Sequence, residues 1–557
     1  MADERPHGGR VAVAADAVGP GGRLQELDGD GRPAGPAAHV PDLAAAVAER
    51  EAAGPPRWVW AATDEVYPRL LPSLPVRPAR CHDVRLVEAL LLGHQGRFGE
   101  PRSLGAAWAR ANGLPVPEDP PETGADDRPA LFEADRHRLP PGTDPLAALV
   151  AVHAEQQRLT ARLPHPDRMR LLCAAESAGA LAAVEMGHDG LPWSARAHDE
   201  LLEGLLGPRP AGGGHPARLA ELAGRVQRAL GGRPVNPDSP SQVLRAFAEQ
   251  GVRLNSTRAW ELREADHPAA RLLLEYKELS RIHAAHGWAW REQWVRGGRF
   301  RPEYVVGGVV SGRWATRGGG ALQIPRVLRG AVVADPGHLL VVADAEQLEP
   351  RVLAAVSEDA GLVRAAAAGD LYAALAPAFG GDRARAKVAV LGAVYGQTTG
   401  EAGRLLPVLR HRFPAAMALV EEAARAGEAG GLVRSRLGRT CPPPSADVPG
   451  DGEEAGRAAR SRGRFARNFV VQASAAEWAL AMLAALRRRL AGAGPDGPRV
   501  VFFQHDEVMV HTPEELAGTV LEAVAEAGDE ARRLVFGATP VRFPLSARAV
   551  RCYADTG

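Results

Sequence analysis

The chain has 557 residues, 45% of them hydrophobic and 24% charged, and its formal net charge is zero. A chain of this length is too long for one hydrophobic core, so two or more domains are expected. Zero net charge argues weakly against a dedicated nucleic-acid binder, because such proteins are often basic overall.

Membrane, exported and disulfide-stabilised classes are not indicated. No uninterrupted apolar run reaches the roughly 18 residues that span a bilayer, and the N-terminal MADERPHGGR is not followed by the apolar stretch of a signal peptide. The four cysteines lie far apart and form no CxxC pair, which argues against a zinc site. We therefore expect no membrane partner and a reducing, cytoplasmic location.

The first 112 residues alternate short apolar runs with helical patterns. Residues 10–15 and 57–62 are predicted strands, and residues 41–51 and 84–92 are predicted helices. This alternation predicts a small α/β domain over residues 1–112. Residues 113–145 are rich in Pro, Gly and acidic side chains and are predicted to be a linker without regular structure.

The rest of the chain divides into a helical part and a mixed part. Helical patterns cover 146–300, interrupted by the Gly/Pro-rich segment GPRPAGGGHP. Beyond 300, residues 339–343 are a predicted buried strand, residues 357–430 are predicted helices, and residues 499–511 a predicted hairpin with an acidic tip. We expect an α+β protein with its domains in series.

Two aspartates stand where predicted buried strands end. Asp344 follows LLVVA, and Asp506 lies at the hairpin tip. A carboxylate beside an apolar strand is costly unless a cation or a donor compensates it. Each aspartate alone fits an ordinary strand-end turn, but two that meet in one sheet could hold the pair of divalent ions used in phosphoryl transfer.

A predicted helix places two cations, an apolar side chain and an aromatic ring at four-residue intervals, at Arg383, Lys387, Leu391 and Tyr395. Each four-residue step drifts by about 40°, so the four share one broad face. The cations could meet phosphates and the flat groups a base, although a solvated face of an amphipathic helix gives the same pattern. Only two of the 67 Lys and Arg residues are lysines, Lys277 and Lys387. A lysine at position 387 could mean that the site requires a compact ammonium group, or it could be a chance occurrence.

Three segments resemble, in order, the three polymerase motifs of the DNA polymerase I family, family A. They are Asp344-Ala-Glu-Gln-Leu-Glu-Pro-Arg351, Arg383-xxx-Lys387-xxx-Leu391-xxx-Tyr395-Gly396 and Gln504-His505-Asp506-Glu507. Three further segments resemble other elements of that family, namely Ser311-Gly312-Arg313, Leu322-Gln323-Ile324-Pro325 and Arg464-xxx-Asn468-xxx-Gln472. Six matches in order over some 200 residues are specific, and a weaker resemblance reaches back to about residue 170.

The resemblance implies a template-directed DNA polymerase that adds dNTPs to a primer 3′-hydroxyl by two-metal nucleotidyl transfer. Asp344, Asp506 and the carbonyl of Ala345 would bind two Mg²⁺ ions, for which Mn²⁺ could substitute. Lys387 would act as a general acid, and Glu507 belongs to the same catalytic set. The expected dNTP-binding residues are Arg383, Lys387, Leu391, Tyr395, Glu349, Gln347 and Tyr372, with Glu349 as the steric gate against ribonucleotides. The expected DNA-binding residues are Arg313, Gln323, Arg464, Asn468, Gln472 and His505.

Four positions depart from the family pattern. Ala345 and Leu391 stand where the family has aromatic residues, Pro350 stands in place of Leu, and Tyr372 in place of a His that contacts the triphosphate. No departure removes an expected metal ligand, so we expect activity with altered rate or sugar selectivity.

The resemblance also implies a right-hand architecture of palm, fingers and thumb behind an RNase H-like 3′–5′ exonuclease-type domain, in a bifunctional type of enzyme from a high-GC bacterium. The expected domains are an exonuclease-like domain at 1–112, the linker 113–145, a helical connector and thumb at 146–300, the palm at 301–357 and 431–557, and the fingers at 358–430. The first strand carries Asp16 without the Glu of a D-x-E pair, and Asp83 lacks a following Y-xxx-D, so exonuclease activity is expected to be lost.

Two other interpretations stay open. A phage-type RNA polymerase has a related motif order, but Glu349 argues against room for a 2′-hydroxyl. A catalytically silent DNA-binding or accessory protein would not need both aspartates with Arg383 and Lys387. The expected partners are primer-template DNA and dNTPs, with a separate 5′ nuclease or clamp as further candidates. The chain is expected to be monomeric and associated with the nucleoid.

Overall fold

The computed structural model describes residues 9–121, 137–317, 324–397, 400–443, 452–494 and 496–556. The chain divides into two compact units. One comprises residues 1–188, 304–315 and 341–549, and the other residues 189–303, 316–340 and 550–557. The first unit therefore joins the N-terminal third of the chain to residues 341–549, which the expected order of domains in series did not anticipate.

The N-terminal part of the first unit is built on a five-stranded sheet of order β3-β2-β1-β4-β5. Its elements are β1 (Arg10–Ala15), β2 (Gly22–Leu27), β3 (Ala38–Val40), α1 (Leu43–Ala53), β4 (Arg57–Trp60), α2 (Thr63–Leu70), β5 (Arg80–Asp83), α3 (Val84–His94) and α4 (Leu104–Ala111). β1 pairs antiparallel with β2 and parallel with β4, and β5 runs parallel to β4. The predicted α/β character of this region is confirmed, with both predicted strands present.

Two helices follow the linker. Of the predicted linker, residues 113–121 and 137–144 contain no helix or strand, and residues 122–136 lie outside the described ranges. Helix α5 (Pro145–Ala161) packs on β1 and β4, where Leu146, Leu149 and Val152 join the core beneath the sheet. Helix α6 (Pro166–Asp189) places Leu181 in the core of the sheet's other cluster.

The second unit is mainly helical, as predicted. Its elements are β6 (Leu191–Pro192), α7 (Ala195–Leu206), α8 (Ala217–Ala229), α9 (Pro240–Glu249), α10 (Ala259–Glu264), α11 (Pro268–His286), α12 (Trp288–Trp294), β7 (Val295–Arg296) and β8 (Arg299–Phe300). Two apolar clusters hold α8 and α11 together. Lys277 on α11 donates to the carbonyl and hydroxyl oxygens of Thr257 at 2.6 and 2.7 Å, a contact that suits a compact ammonium group.

The C-terminal part of the chain contains a four-stranded sheet of order β12-β13-β11-β14. The remaining elements in chain order are β9 (Glu303–Val305), β10 (Ala315–Arg317), β11 (His338–Ala345), α13 (Leu348–Ser357), α14 (Ala360–Ala367), α15 (Leu371–Leu375), α16 (Arg383–Tyr395), α17 (Gly400–Arg412), α18 (Pro414–Glu428), α19 (Glu453–Leu490), β12 (Arg499–Gln504), β13 (Glu507–Pro513), α20 (Ala517–Phe536) and β14 (Leu545–Val550). The predicted buried strand, helical region and hairpin are all present. Pro350 lies in the first turn of α13, where a missing N–H removes no helical hydrogen bond.

Helix α19 is long and apolar enough to cross a membrane by length and composition. An 18-residue window within Glu453–Ala493 has a mean hydropathy of 1.6. Charged residues such as Arg467 and Glu477 interrupt this part of the sequence, so it contains no uninterrupted apolar run of bilayer length. That window is 89% buried inside the fold, and α19 packs against α18 and α20. Its apolar character is that of a core helix.

Arg487 on α19 joins three segments of the first unit. Its guanidinium group donates to both carboxylate oxygens of Glu185 on α6, at 2.5 and 2.8 Å, and to the carbonyls of Pro78 and Ala79. The Tyr67 hydroxyl donates to the same carboxylate at 2.6 Å. The ion pair is about nine-tenths buried on both sides. Arg77 Nη1 lies 3.6 Å from the same carboxylate, so loss of Arg487 would leave the buried Glu185 with this more distant cation alone among the described residues.

We predict that Arg487→Ala lowers the free energy of unfolding by about 3–5 kcal/mol, because it removes the nearer cation and two hydrogen bonds from the buried Glu185 carboxylate. Chemical denaturation with urea measures the change. Arg488→Ala is the matched control. The Arg488 side chain is 59% exposed and pairs with Glu530, so we expect its loss to lower the free energy of unfolding by less than about 1 kcal/mol. Equal effects of the two substitutions would contradict the buried linkage.

Two histidines are buried edge to face beneath the N-terminal sheet. The rings of His82 and His153 lie 4.5 Å apart, and within the described ranges neither ring nitrogen of His153 has a hydrogen-bond partner. Burial lowers the pKa of His82 to about 4 and that of His153 to about 2. Both rings are therefore neutral in the folded chain at pH values where the unfolded chain is already protonated.

Because these pKa values are depressed on folding, their contribution to stability is full above the ordinary value of 6.5 and declines as the pH falls below it. One buried neutral histidine makes the free energy of unfolding fall by about 1.4 kcal/mol for each pH unit between pH 6 and pH 4.5. We predict that His153→Leu removes the contribution of His153, so that its free energy of unfolding falls less steeply by this amount. Denaturation at a series of pH values measures this slope. The exposed His411 provides the control substitution, and a slope unchanged in His153→Leu would contradict the prediction.

Candidate active site

The two strand-end aspartates meet across the C-terminal sheet. Asp344 is the penultimate residue of β11, and Asp506 lies in the turn between β12 and β13. The backbone N–H of Ala345 donates to the carbonyl of Asp506 at 3.0 Å, which places the two residues at the same edge of the sheet. Asp344 is exposed and Asp506 is half-buried. The structure thus brings together the residues predicted to bind metal.

The surroundings of Asp506 favour a bound cation. Burial raises the pKa of this carboxyl, and the nearby Glu349 and Glu507 carboxylates act in the same direction while Arg313 opposes them. A divalent ion would offset the cost of burying the carboxylate and the repulsion from Glu349 and Glu507. Among the described residues no group of three or more His, Cys, Asp and Glu is placed to hold a metal. The donors present are two carboxylates with nearby backbone carbonyls, an oxygen set that fits Mg²⁺ completed by substrate phosphates.

Glu349 connects three segments at the site. It lies in the first turn of α13, and its two carboxylate oxygens accept hydrogen bonds from Arg313 Nη2 at 2.8 Å and from the Tyr395 hydroxyl at 2.6 Å. Burial and the adjacent Glu349 raise the pKa of Tyr395, so the hydroxyl remains a donor. The contact fixes the end of α16 against α13.

Helix α16 begins and ends at the outer residues of the predicted face. Asp382 accepts hydrogen bonds from the N–H groups of Ala384 and Arg385 and so caps the N-terminus, while Gly396 ends the helix in the left-handed conformation at φ 69°. Arg383, Lys387 and Tyr395 are exposed and Leu391 is half-buried. The shared face predicted from the four-residue spacing is therefore present, and it is open to solvent.

Arg383 is held by a residue that sequence reasoning did not select. Its Nε donates to Asp370 Oδ2 at 2.7 Å, and its guanidinium carbon lies 5.7 Å from the centre of the Tyr372 ring. Burial, followed by the nearby Glu349, raises the pKa of Tyr372 to about 12. The Asp370-Leu-Tyr372 segment carries an aspartate just before a helical run, which is a signal for a helix N-cap but not for an arginine partner.

Gln347 and Arg351 brace the turn after β11. Gln347 has a left-handed backbone (φ 56°), and its side-chain amide donates to Asp370 at 2.9 Å and accepts from the Leu371 N–H at 2.9 Å. Arg351 is fully buried and donates to the carbonyls of Glu346, Ala366 and Arg542 at 2.8–3.0 Å. Gln347, predicted to contact the dNTP, thus has its side chain engaged within the protein.

Helix α19 has an open seam where the R-xxx-N-xxx-Q residues stand. Arg464 is exposed, and Asn468 and Gln472 are the only residues between Ala466 and Leu483 that are not buried. The side-chain oxygen of Asn468 is buried without a hydrogen-bond partner among the described residues. A Cβ placed on Gly396 would lie 3.3 Å from Arg464 Cγ, so this seam adjoins the end of α16.

Of the remaining predicted residues, His505 and Glu507 lie beside Asp506, and Gln323 lies outside the described ranges. His505 lies in the turn beside Asp506 with a left-handed backbone (φ 57°), and burial, then Arg313, lowers its pKa. Glu507 follows at the start of β13. Gln323 lies outside the described residues, so its predicted DNA contact stays a prediction.

A buried ion pair supports the segment that carries Arg313. Arg439 Nη2 donates to Glu176 at 2.6 Å, and both side chains are over nine-tenths buried. Gly312, at φ 84°, leaves no room for a Cβ, which would lie 2.5 Å from Arg439 Nε. No sequence motif indicated this pair, because the partners are far apart in the chain.

The chain is similar to known DNA polymerases. Residues 215–546 match the sequence family described as DNA polymerase family A. The chain is 27% identical to a thermostable DNA polymerase I of Thermus filiformis over 56% of its own length and 41% of that protein. It is 26% identical to DNA polymerase I of Pseudomonas aeruginosa over 52% of this chain and 33% of that one. It is 28% identical to a thermostable DNA polymerase I of Thermus aquaticus over 59% of this chain and 42% of that protein.

The chain spans less than half the length of each of these three relatives. Its structure also resembles a solved one, the POL domain of Pol1 from M. smegmatis in complex with DNA primer-template and dNTP. The TM-score is 0.72 at 19% identity, with 98% of this chain and 96% of that chain covered. This likeness establishes a shared fold over almost the whole chain. Because the family match covers more than half of the sequence, the chain belongs to DNA polymerase family A.

Proposed function

We propose that the chain is a DNA-directed DNA polymerase that extends a primer 3′-hydroxyl with dNTPs and releases pyrophosphate. The observation that carries this proposal is the meeting of Asp344 and Asp506 at one sheet edge. A helix joined to α13 through Tyr395 and Glu349 presents Arg383 and Lys387 to solvent. Family membership supports the reaction class, and family A polymerases depend on divalent metals.

Asp344, Asp506 and the Ala345 carbonyl are the proposed holders of two Mg²⁺ ions, with Mn²⁺ as a substitute. When bound, such a pair neutralises the triphosphate and favours the ionised primer hydroxyl. The raised pKa of Asp506 fits this role, because burial disfavours the carboxylate and bound ions would add to the countercharge of Arg313. Glu507 adds negative charge to the same turn.

Arg383 and Lys387 are the proposed partners of the triphosphate. Both lie on the exposed face of α16, one turn apart. A guanidinium group can hold two phosphate oxygens at once, and an ammonium group can place a proton on the departing pyrophosphate. Tyr372 lies beside Arg383, and Leu391 and Tyr395 continue the face toward the base of the incoming nucleotide.

Glu349 is the proposed steric gate. Its carboxylate is fixed by Arg313 and Tyr395 rather than free to swing away, so a ribose 2′-hydroxyl would meet a rigid wall. Arg313, Arg464, Asn468, Gln472, His505 and Gln323 are the proposed contacts to primer and template. The unpartnered oxygen of Asn468 supports such a role, because a buried polar atom without a partner is costly unless a ligand completes it.

The proposed domains follow the expected architecture, with thumb at 146–300, palm at 301–357 and 431–557, and fingers at 358–430. The proposed N-terminal domain is a former 3′–5′ exonuclease. Its Asp83 spends both carboxylate oxygens on the N–H groups of Thr63 and Leu86, and Asp16 pairs with His39 at 3.0 Å. Carboxylates so engaged are poor ligands for the metal pair that exonuclease chemistry needs.

The proposed setting is the bacterial cytoplasm, with the chain acting as a monomer on DNA. The four cysteines are free thiols, as a reducing compartment allows. A separate 5′ nuclease or a clamp is a candidate partner.

The test is extension of a 5′-labelled primer on a longer template with Mg²⁺ and dNTPs. We predict extension by the wild-type chain and a loss of at least about 10³-fold in Asp344→Ala, because one ligand of the metal pair is gone. Glu526→Ala, which alters an exposed carboxylate on α20, should leave the rate unchanged. Without dNTPs, a mismatched primer should keep its length.

Other outcomes would favour the alternatives. Extension with rNTPs as efficient as with dNTPs would indicate an RNA polymerase and overturn the gate assigned to Glu349. DNA binding without extension in either Mg²⁺ or Mn²⁺ would indicate a silent DNA-binding protein. Primer shortening that disappears in Asp83→Ala would show that the N-terminal domain is an active exonuclease.

A further inference from the structure

Asp370 occupies a junction between three segments of the candidate site. Its Oδ1 accepts from the Ala373 N–H at 3.1 Å, which caps α15, and from Gln347 Nε2 at 2.9 Å in the turn after β11. Its Oδ2 accepts from Arg383 Nε at 2.7 Å, at the start of α16. Partial burial acts to raise the pKa of Asp370, but the hydrogen bonds from Arg383, Ala373 and Gln347 outweigh it and lower the pKa to about 2. The group is an anion at any physiological pH.

The contact uses only one edge of the arginine. A guanidinium group has five N–H donors in a planar fork, and Asp370 engages the one on Nε. The other four, on the two terminal nitrogens, remain for another acceptor, and the Arg383 side chain is 53% exposed. The Tyr372 ring lies beside the plane. An otherwise mobile side chain is thus held with its phosphate-binding end outward.

Neighbouring caps do not share this geometry. Asp382 accepts only from the N–H groups at the start of α16, and Asp359 accepts from four backbone N–H groups, two at the start of α14 and two at the start of α18. Asp370 alone among these three divides its oxygens between a helix cap and an arginine side chain. The same combination occurs at the start of α5, where Asp144 caps the helix and pairs with Arg23, so the combination alone assigns no role. At Asp370 it involves the first residue of the helix that carries Lys387, and Gln347 adds a third contact.

We propose that Asp370 is a positioning residue that orients Arg383 for the triphosphate of the incoming nucleotide. This inference rests on the proposed function and adds a residue to it. Orientation lowers the side-chain entropy that Arg383 loses when it binds phosphate, and it directs the paired terminal nitrogens toward two phosphate oxygens at once. Gln347 supports the same arrangement by holding Asp370 from the opposite side.

The test uses inorganic tripolyphosphate as the probe and calorimetry in EDTA, so that neither metal nor catalysis is required. The full-length chain is compared with Asp370→Asn, Asp382→Asn, Arg383→Ala and the double variant Asp370→Asn/Arg383→Ala. Asn is as good an N-cap as Asp, and both Asn substitutions remove one negative charge near α16. Asp382→Asn is therefore matched to Asp370→Asn in capping and in charge, and differs in the contacts of Asp370 with Arg383 and Gln347; the Arg383→Ala background separates the two contacts.

We expect Asp370→Asn to bind tripolyphosphate about tenfold more weakly than Asp382→Asn, because a neutral amide cannot hold the guanidinium group as a carboxylate does. In the Arg383→Ala background the Asp370 substitution should have no further effect, since its influence passes through Arg383. Equal affinities of the two Asn variants, or additive losses in the double variant, would overturn the inference. So would an absence of tripolyphosphate binding by the wild-type chain.

Failure of the proposed function has a separate signature. Tripolyphosphate binding that follows the expected pattern in a chain that does not extend a primer would leave the role of Asp370 intact and reject the polymerase. Normal primer extension together with equal tripolyphosphate affinities of the two Asn variants would support the polymerase and reject the role of Asp370.

Discussion

The site depends on the backbone hydrogen bond from Ala345 to Asp506. It sets the register between the end of β11 and the turn of the β12–β13 hairpin, and so determines that two carboxylates project from one edge of the sheet. A shift by one residue would turn either side chain to the opposite face. The apolar strands that make this register rigid also bury Asp506 and raise its pKa, so the same packing that positions both carboxylates makes a nearby cation favourable for Asp506.

The rest of the site is organised by carboxylates that each hold a cation or a hydroxyl from another segment. Glu349 ties Arg313 and Tyr395 to α13, and Asp370 ties Arg383 to the turn after β11. Both contacts leave part of the cation accessible, because the Arg313 side chain is 24% exposed and that of Arg383 is 53% exposed. The two ends of α16 are therefore held to the segments around the sheet edge, while Arg383 stays open to a charged substrate.

Much of this could be predicted from sequence where the signal is local. The four-residue spacing from Arg383 to Tyr395 gives one helix face whatever the surroundings, and the apolar run before Asp344 gives a buried strand. Arg351 and the Arg439–Glu176 pair could not be predicted in the same way, because their partners lie up to 263 positions away in the chain. Asp370 lies only 13 positions from Arg383, but the local sequence carries no signal that the two side chains meet. Nor could composition indicate that Gln347 spends its amide on Asp370 and Leu371. Such contacts arise only once distant segments pack together.

The measurement that tests the central claim most directly is a titration with Mn²⁺ followed by electron paramagnetic resonance, in the presence of dNTP. The account predicts that the wild-type chain binds about two ions, and that Asp344→Asn and Asp506→Asn each abolish at least one of them without unfolding the chain. Unchanged Mn²⁺ binding in both variants would contradict it, because the paired strand-end carboxylates would then not be the metal site.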